Sequence, residues 1–294
     1  MLFLCGAVSA EDSQEVSAAD GITNGSTEIE PEITLNINLE HPEALSGDKL
    51  PNVTVTDTGG NAINGVTLTK SGDTQYKVNF ISDKTIFNIN VGARGHVNQT
   101  VTVTVSQITP TDPVLYGNAT LNLRAYNLLI LSGSPNVSPA FVNSNQALRD
   151  EGYYFNLSHF TNTEITSGDA TTEDKIRQIA AKADVIIIQM ISEPDTVAKL
   201  KELIVGTNAK MFAIKCGVAF LNDPNVDSND TVLKVYWDNS GEENMARFQL
   251  KVLQKVGMAV DPTKDLNPVI YPLQFIYHPD SVTPMFTTWN DYYN

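Results

Sequence analysis

The chain has 294 residues and carries 19 basic against 34 acidic side chains, a formal net charge of −15. That charge repels phosphate backbones and anionic lipid headgroups, so we expect no nucleic-acid or membrane-surface partner. Two cysteines exclude a disulfide framework or a Cys-rich zinc site, and no apolar run reaches the ~20 residues that span a bilayer.

The N-terminus has the features of an exported chain. Residues 1–10 are apolar and end in Val8-Ser9-Ala10, a small-residue pattern typical of the end of a secretory signal peptide. We interpret them as a signal-peptide remnant, with a frayed apolar terminus as the alternative. Residues 11–31 are acidic and poor in large apolar groups, which predicts a flexible acidic spacer. The expected localisation is secreted or cell-surface, and the alternative is cytoplasmic.

Apolar and polar residues alternate from residue 32 to residue 108, for example over 33–39 and 101–106. Alternation of this kind predicts half-buried strands, and the Gly-containing turns between them favour a β-sandwich. The stretch Val55–Leu68 and the strand Tyr76–Phe80 resemble a hairpin and strand of bacterial and archaeal surface Ig-like modules. The resemblance implies an Ig-like β-sandwich over 32–108, acting as a stalk or, alternatively, as an adhesive surface.

Two prolines follow the β module, and we place a Pro-containing linker over residues 109–124. After it the pattern changes to strand and helix in alternation. Apolar runs predict strands at 127–131, 153–157, 184–191, 210–214 and 231–236. Amphipathic stretches predict helices over 137–149, from Thr171, over 192–206 and over 240–257. This order predicts a Rossmann-like parallel α/β domain over 125–294.

Ligands of such sheets bind at the carboxyl ends of the strands. The sequence places Ser132-Gly133-Ser134 and Lys215-Cys216-Gly217 there, among other polar segments. It contains neither a dinucleotide fingerprint nor a P-loop. The serine-rich segment is a weak phosphate signal, and an ordinary strand-to-helix turn is the alternative.

Three pieces of the second half occur in an order typical of one family. They are the strand at 184–191, the stretch Tyr236–Met245 with Gly241-Glu242-Glu243-Asn244-Met245, and Pro272–Asp280 with Tyr277-His278-Pro279-Asp280. Together they resemble the N-terminal region of the cobaltochelatase (CobN) and magnesium-chelatase large-subunit family. Phe275 departs from the pattern, because the family usually has glycine there. The resemblance covers about residues 125–294, which we interpret as a truncated part of a much longer subunit.

The resemblance implies a role in inserting cobalt or magnesium into a tetrapyrrole, as in cobalamin-type biosynthesis. The macrocycle and the divalent metal are then substrates, and ATP is hydrolysed by separate AAA+ partner subunits. This chain is expected to hold no cofactor of its own and to be inactive alone. The alternative is a non-catalytic, exported adhesin-like surface protein that uses the chelatase-like domain for binding.

The candidate contacts to metal or macrocycle lie in the last two motifs. His278 offers an imidazole and Asp280 a carboxylate, so His278 is the candidate metal ligand. The alternative is a proline turn that Asp280 caps. Glu242, Glu243 and Asn244 are further candidates, but a capping box formed by Glu243 and the serine at 240 explains the acidic pair as well.

Seven N-x-[ST] sequons are consistent with glycosylation of an exported chain. They begin at Asn24, Asn52, Asn98, Asn118, Asn136, Asn156 and Asn229. Asn52 and Asn98 are the favoured acceptors, whereas Asn156 falls in a predicted buried strand. The chain has 27 Asn and 28 Thr, so such motifs also arise by chance.

Overall fold

The computed structural model describes residues 29–108, 114–133, 138–270, 276–277 and 285–286. The predicted signal-peptide remnant, most of the predicted spacer and both linker prolines therefore lie outside the described residues. Among the helices in the described ranges, none has the length and hydropathy needed to cross a membrane.

Within the described residues, the first domain consists of seven strands and a short 3-10 helix (Pro42–Leu45). The strands are β1 (Pro31–Leu39), β2 (Asn52–Asp57), β3 (Thr67–Lys70), β4 (Gln75–Asn79), β5 (Ile86–Gly92), β6 (Gln99–Thr104) and β7 (Leu115–Leu123). They make two sheets, in the orders β3-β4-β1-β7 and β2-β5-β6. Alternate apolar side chains of both sheets, such as Leu35, Val78 and Ile89, bury in one shared core. The predicted β domain is confirmed at this level.

Strand β7 corrects the predicted linker, because residues 115–123 belong to the first sheet. β7 runs parallel to β1 in continuous register, from Pro31 opposite Leu115 to Leu39 opposite Leu123. In β7 the core-facing positions do alternate with polar ones, but the small residues Gly117 and Ala119 in the middle make the apolar pattern weaker than in β1. Pairing with β1 supplies the backbone hydrogen bonds that define it. The predicted spacer is likewise one residue too long, since Pro31 begins β1.

The second domain alternates strands and helices. Its elements are β8 (Asn127–Ser132), α1 (Ser138–Asp150), β9 (Asn156–Thr161), α2 (Asn162–Ile165), α3 (Ala170–Lys182), β10 (Val185–Gln189), α4 (Pro194–Leu203), β11 (Lys210–Ile214), α5 (Val218–Leu221), β12 (Val226–Asp227), α6 (Thr231–Asp238) and α7 (Glu242–Gln254). Two short strands, β13 (Ile276–Tyr277) and β14 (Met285–Phe286), pair antiparallel.

The five-stranded sheet of this domain is parallel, with the order β12-β11-β10-β8-β9. Numbered along the chain from β8, this is the 2-1-3-4-5 order of flavodoxin-like, doubly wound sheets. Both faces of β10 are covered: Val185 and Ile187 pack in the core with α1, α6 and α7, and Ile186 and Ile188 pack in the core with α3, α4 and α5. The predicted parallel α/β fold is confirmed, and burial on two faces explains the continuous apolar run.

Two predicted strands differ from the structure. Residues 231–236 form most of α6, which Asp230 caps by accepting a hydrogen bond from the backbone N–H of Leu233 at 3.1 Å. Leu233 and Trp237 are buried at helical spacing, so the apolar run serves a helix face instead of a strand. The strand predicted at 153–157 lies a few residues later, at β9.

Three residues, 124–126, connect the sheet of the first domain to the sheet of the second. The Arg124 guanidinium donates two hydrogen bonds to the Asp184 carboxylate, at 2.8 and 2.7 Å. The Ala125 N–H donates to Glu40 Oε2 at 2.9 Å. A bidentate charged pair on one side and a carboxylate of the β domain on the other therefore hold this short connection.

Hydrogen bonds between the domains extend this junction. Asn156, the first residue of β9, donates from Nδ2 to Glu40 Oε1 at 2.9 Å. Its Oδ1 accepts a hydrogen bond from His41 Nε2 at 2.9 Å. The backbone N–H of His41 in turn donates to His96 Nε2 at 3.3 Å. This network brings together residues of both domains that share no sequence motif.

His96 is a buried residue at this junction. Only 1% of it is exposed. Its Nδ1 lies 3.2 Å from the Arg94 carbonyl, so Nδ1 carries the proton and Nε2 is free to accept from His41. Burial lowers the pKa of His96 below its usual 6.5, and His41 adds to this, whereas the Arg94 carbonyl and Glu40 act in the opposite direction.

Gly95 permits the close approach of the two domains. Its φ is +83°, and a Cβ atom there would lie 2.1 Å from the Tyr154 carbonyl oxygen. We expect Gly95→Ala to lower the free energy of unfolding by about 2 kcal/mol more than Gly60→Ala does. Gly60 is the matched control, because its φ is +84° but nothing lies within 4 Å of an added Cβ. Urea denaturation measures both, and equal losses would argue against this contact.

Because His96 is buried, we expect the free energy of unfolding to fall in mild acid. Unfolded histidine takes up a proton near pH 6.5, whereas folded His96 does so only at lower pH. The stabilisation is therefore present above pH 6.5 and is lost as the pH falls, with a slope of up to about 1.4 kcal/mol per pH unit. Burial also lowers the pKa of His159, so that residue contributes too.

Urea denaturation between pH 7.5 and 5 separates the two histidines. We expect both His96→Gln and His159→Gln to show a shallower pH dependence than the wild-type chain. If the His96→Gln slope equals that of the wild type, the junction does not depend on neutral His96.

Candidate functional site

The predicted acidic candidates lie at the start of α7 and are exposed. Glu242 Oε1 accepts a hydrogen bond from Asn143 Nδ2 at 2.6 Å. Glu243 forms an ion pair with Arg247, one turn later, at 2.7 Å. The predicted capping box is not formed, because the N-cap residue is Gly241 and the serine lies one residue too early. Both carboxylates thus have partners on helix surfaces.

Asn244 is a buried structural residue in this arrangement. Its Nδ2 donates to the carbonyl oxygens of Asn239 and Val269, the latter at 2.8 Å. Its Oδ1 accepts from the Val269 N–H at 2.8 Å. One side chain therefore joins the turn between α6 and α7 to the segment that leads towards β13.

The strongest candidates from the sequence, His278 and Asp280, lie outside the described residues, just after β13 in the chain. The proposed metal ligand His278 therefore stays a prediction. Among the residues that the structure describes, no group of three or more His, Cys, Asp or Glu side chains has an arrangement that could hold a metal ion.

The carboxyl edge of the parallel sheet is unusual in its backbone and its polar groups. Ser132 and Gln189 pair across β8 and β10, and the Ser132 hydroxyl donates to Gln189 Oε1 at 2.8 Å. The next residue on β10, Met190, has φ of 50°, and Lys215 after β11 has φ of 53°. Positive φ at non-glycine residues is strained and concentrates at functional sites. This is the edge where the sequence predicts ligand binding.

A cleft of about 710 Å³ lies at the amino end of the sheet beside the junction. Lys182, Lys210 and Asn127 line it, together with the Arg124–Asp184 pair. The opposite charges of that pair already satisfy each other, so this surface is primarily part of the contact between the domains.

The two favoured glycosylation sites lie side by side. Asn52 on β2 pairs with Gly92 on β5, and a Cβ at Gly92 would lie 2.1 Å from Asn98 Oδ1. Both asparagines are exposed and line a cleft of about 300 Å³ between the domains. Their exposure leaves both accessible, whereas Asn156 uses its amide in the junction.

Sequence reasoning missed the junction residues and Gln189. Glu40 and Asn156 are 116 positions apart, so no local pattern links them. Gln189 does have a signal, since it is a polar residue at the end of the run Val185–Ile188, whose side chains are all buried. A buried polar group at a strand's carboxyl end is a reason to look for a ligand.

Comparisons with known proteins identify no family. No family model matches the chain, and no curated protein matches it. Among solved structures, the chain has a likeness to the 2,6-sialyltransferase of Vibrionaceae Photobacterium sp. JT-ISH-224 in complex with CMP and lactose, at 8% identity and a TM-score of 0.19. The likeness covers 81% of this chain and 51% of that one, so this chain spans about half its length. A TM-score this low carries no argument about fold or function.

We expect Asn244→Ala to lower the free energy of unfolding by about 2–3 kcal/mol, because it removes the hydrogen bonds of a buried side chain to the partly buried backbone of residues 239 and 269. Asn143→Ala is the control: it removes an exposed asparagine of the same size and should change stability by less than about 0.5 kcal/mol. Urea denaturation measures both, and hydrogen exchange at Val269 should accelerate in the first variant only. Slow exchange at Val269 in Asn244→Ala would contradict the anchoring role.

Proposed function

We propose that this chain is a tetrapyrrole-binding protein of the cobaltochelatase and magnesium-chelatase large-subunit type. It binds the macrocycle, with cobalt or magnesium as the metal substrate. Any ATP-driven insertion belongs to AAA+ partner subunits, so this chain alone is not an active ligase.

The contact between Asn244 and Val269 carries the proposal. Asn244 belongs to the first family-like motif, Gly241–Met245, and Val269 lies shortly before the second, Tyr277–Asp280. The buried amide holds the segment that leads towards the second motif, which would explain why the first motif has an asparagine at this position.

In this proposal the first domain serves to present the second domain. We infer that its two sheets are an Ig-like sandwich that works as a stalk, on an exported protein at the cell surface or outside the cell. The signal-like residues 1–10 and the exposed sequon residues Asn52 and Asn98 support export. A cytoplasmic chelatase component would need neither feature.

The second candidate is an adhesin-like surface protein that does not use a tetrapyrrole. The observation that favours it is the pair Asn52 and Asn98, which places two glycan acceptors at one cleft between the domains. Export also separates the protein from cytoplasmic ATP. The two candidates differ in whether the second domain binds a macrocycle.

A spectroscopic titration tests the choice. We expect the Soret band of a porphyrin, with and without Co²⁺, to shift when the full chain is added. His278→Ala should weaken binding about tenfold, the effect of losing about 1.4 kcal/mol of ligand contact. Asp73→Asn, at an exposed turn of the β domain, is the control and should bind like the wild type.

Two results would contradict parts of the proposal. Absence of any spectral change at high micromolar porphyrin would remove the tetrapyrrole role and favour the adhesin-like protein. Unchanged affinity in His278→Ala would show that this histidine does not contact the macrocycle, which favours the proline turn. It would not contradict macrocycle binding itself.

A further inference from the structure

The central rung at the carboxyl edge of the parallel sheet consists of Ser132, Gln189 and Ile214. Gln189 of β10 pairs with Ser132 of β8 on one side and with Ile214 of β11 on the other. β8 and β10 are the first and third strands of the 2-1-3-4-5 order, so the chain leaves their ends in opposite directions. In doubly wound sheets this switch point is where the crevice for a ligand forms.

Gln189 has an unused donor at this point. The side chain is 0% exposed, and its Oε1 accepts the hydroxyl of Ser132 at 2.8 Å. Its Nε2 is buried and has no hydrogen-bond partner. Exchanging the amide oxygen and nitrogen would leave the oxygen unpaired instead, so one amide atom lacks a partner in either orientation. A buried polar atom of this kind calls for a physical explanation.

The residues that directly follow Ser132, Gln189 and Ile214 have crowded or strained backbone. Gly133 follows Ser132, and a Cβ there would lie 2.1 Å from the Met190 carbonyl oxygen. Its N–H donates to the Gln189 carbonyl at 2.8 Å, which holds the two strand ends together. Met190 and Lys215 both have positive φ. Three adjacent strand ends thus keep strained or crowded backbone at one place, as ligand sites do.

The surroundings of Gln189 indicate what the ligand offers. An amide N–H needs an oxygen acceptor, and Lys215 puts a cation at the same edge, where it pairs with Asp238 at the end of α6. Met190, the next residue of the chain, is 48% exposed, so the same edge also presents an apolar side chain to the surface. An acceptor with negative charge on an apolar body fits these groups.

We propose that the switch point binds a peripheral carboxylate of the tetrapyrrole, with Gln189 Nε2 donating to a carboxylate oxygen. This inference rests on the proposed function, because tetrapyrroles carry carboxylate side chains on an apolar ring. Lys215 supplies positive charge by exchanging its partner Asp238 for the ligand carboxylate, and Gly133 leaves room for the two strand ends to meet. Gln189 is then a binding residue for the substrate, separate from the predicted contact at His278.

The test compares two glutamines that are equally buried. Gln249 is also 0% exposed, but its Nε2 donates to Ser144 Oγ at 2.7 Å and to the Met245 carbonyl at 3.2 Å. We expect Gln189→Met to weaken binding of uroporphyrin about tenfold. Its melting temperature should change less than that of Gln249→Met, because the substitution removes an unsatisfied donor along with the hydrogen bond from Ser132. Gln249→Met should lower the melting temperature and leave the affinity of the folded chain unchanged.

Two further measurements complete the test. The octa-amide of uroporphyrin lacks the carboxylates, so its affinity should fall much less in Gln189→Met. In the wild-type chain, the side-chain amide resonances of Gln189 should shift when uroporphyrin binds. This measurement does not depend on whether any variant folds. Wild-type binding with an unshifted Gln189 amide, or with equal affinity in Gln189→Met, overturns the inference alone. No wild-type binding of uroporphyrin overturns the proposed function as well.

Discussion

The three-residue connection between β7 and β8 is the constraint on which the arrangement of the molecule depends. β7 lies at the edge of a sheet in the first domain, and β8 is an inner strand of the sheet in the second. Such a short span leaves little freedom in how the two sheets are placed. The bonds from Arg124 to Asp184 and from Ala125 to Glu40 then hold one geometry. The β domain is a fixed extension of the α/β domain.

This junction determines which end of the parallel sheet is free. Asn127 and Asn156, the first residues of β8 and β9, lie on the side that Glu40 and His41 contact. Parallel strands all end at the opposite edge, so the carboxyl ends point away from the β domain. The strained residues and the unused amide of Gln189 lie at that free edge. A ligand there would not compete with the contact between the domains.

The sequence predicted the elements of the second domain well where the pattern of neighbouring residues decides the structure. The strand at 210–214 has the predicted bounds, and the run around Val185–Ile188 is the central strand because both its faces are covered. The prediction from sequence failed for elements that depend on contacts with distant residues. In β7 the small residues Gly117 and Ala119 weaken the alternating pattern, and pairing with β1 completes the strand. In α6 an apolar run suits a helix face as well as a strand. Of the candidate site, Glu242, Glu243 and Asn244 were placed correctly at a helix start, but not the partners that hold them.

The sequence by itself determined the class of each domain, since alternation with period two and continuous apolar runs depend only on neighbouring residues. It also determined the acidic character of the chain and the positions of the family-like motifs. Only the tertiary structure decided that His96 is a buried acceptor, that Asn244 joins the turn between α6 and α7 to Val269, and that Gln189 Nε2 has no hydrogen-bond partner. The physical reason is that hydrogen bonding and burial depend on groups brought together from distant positions, such as Glu40 and Asn156. Local composition does not encode which distant groups meet.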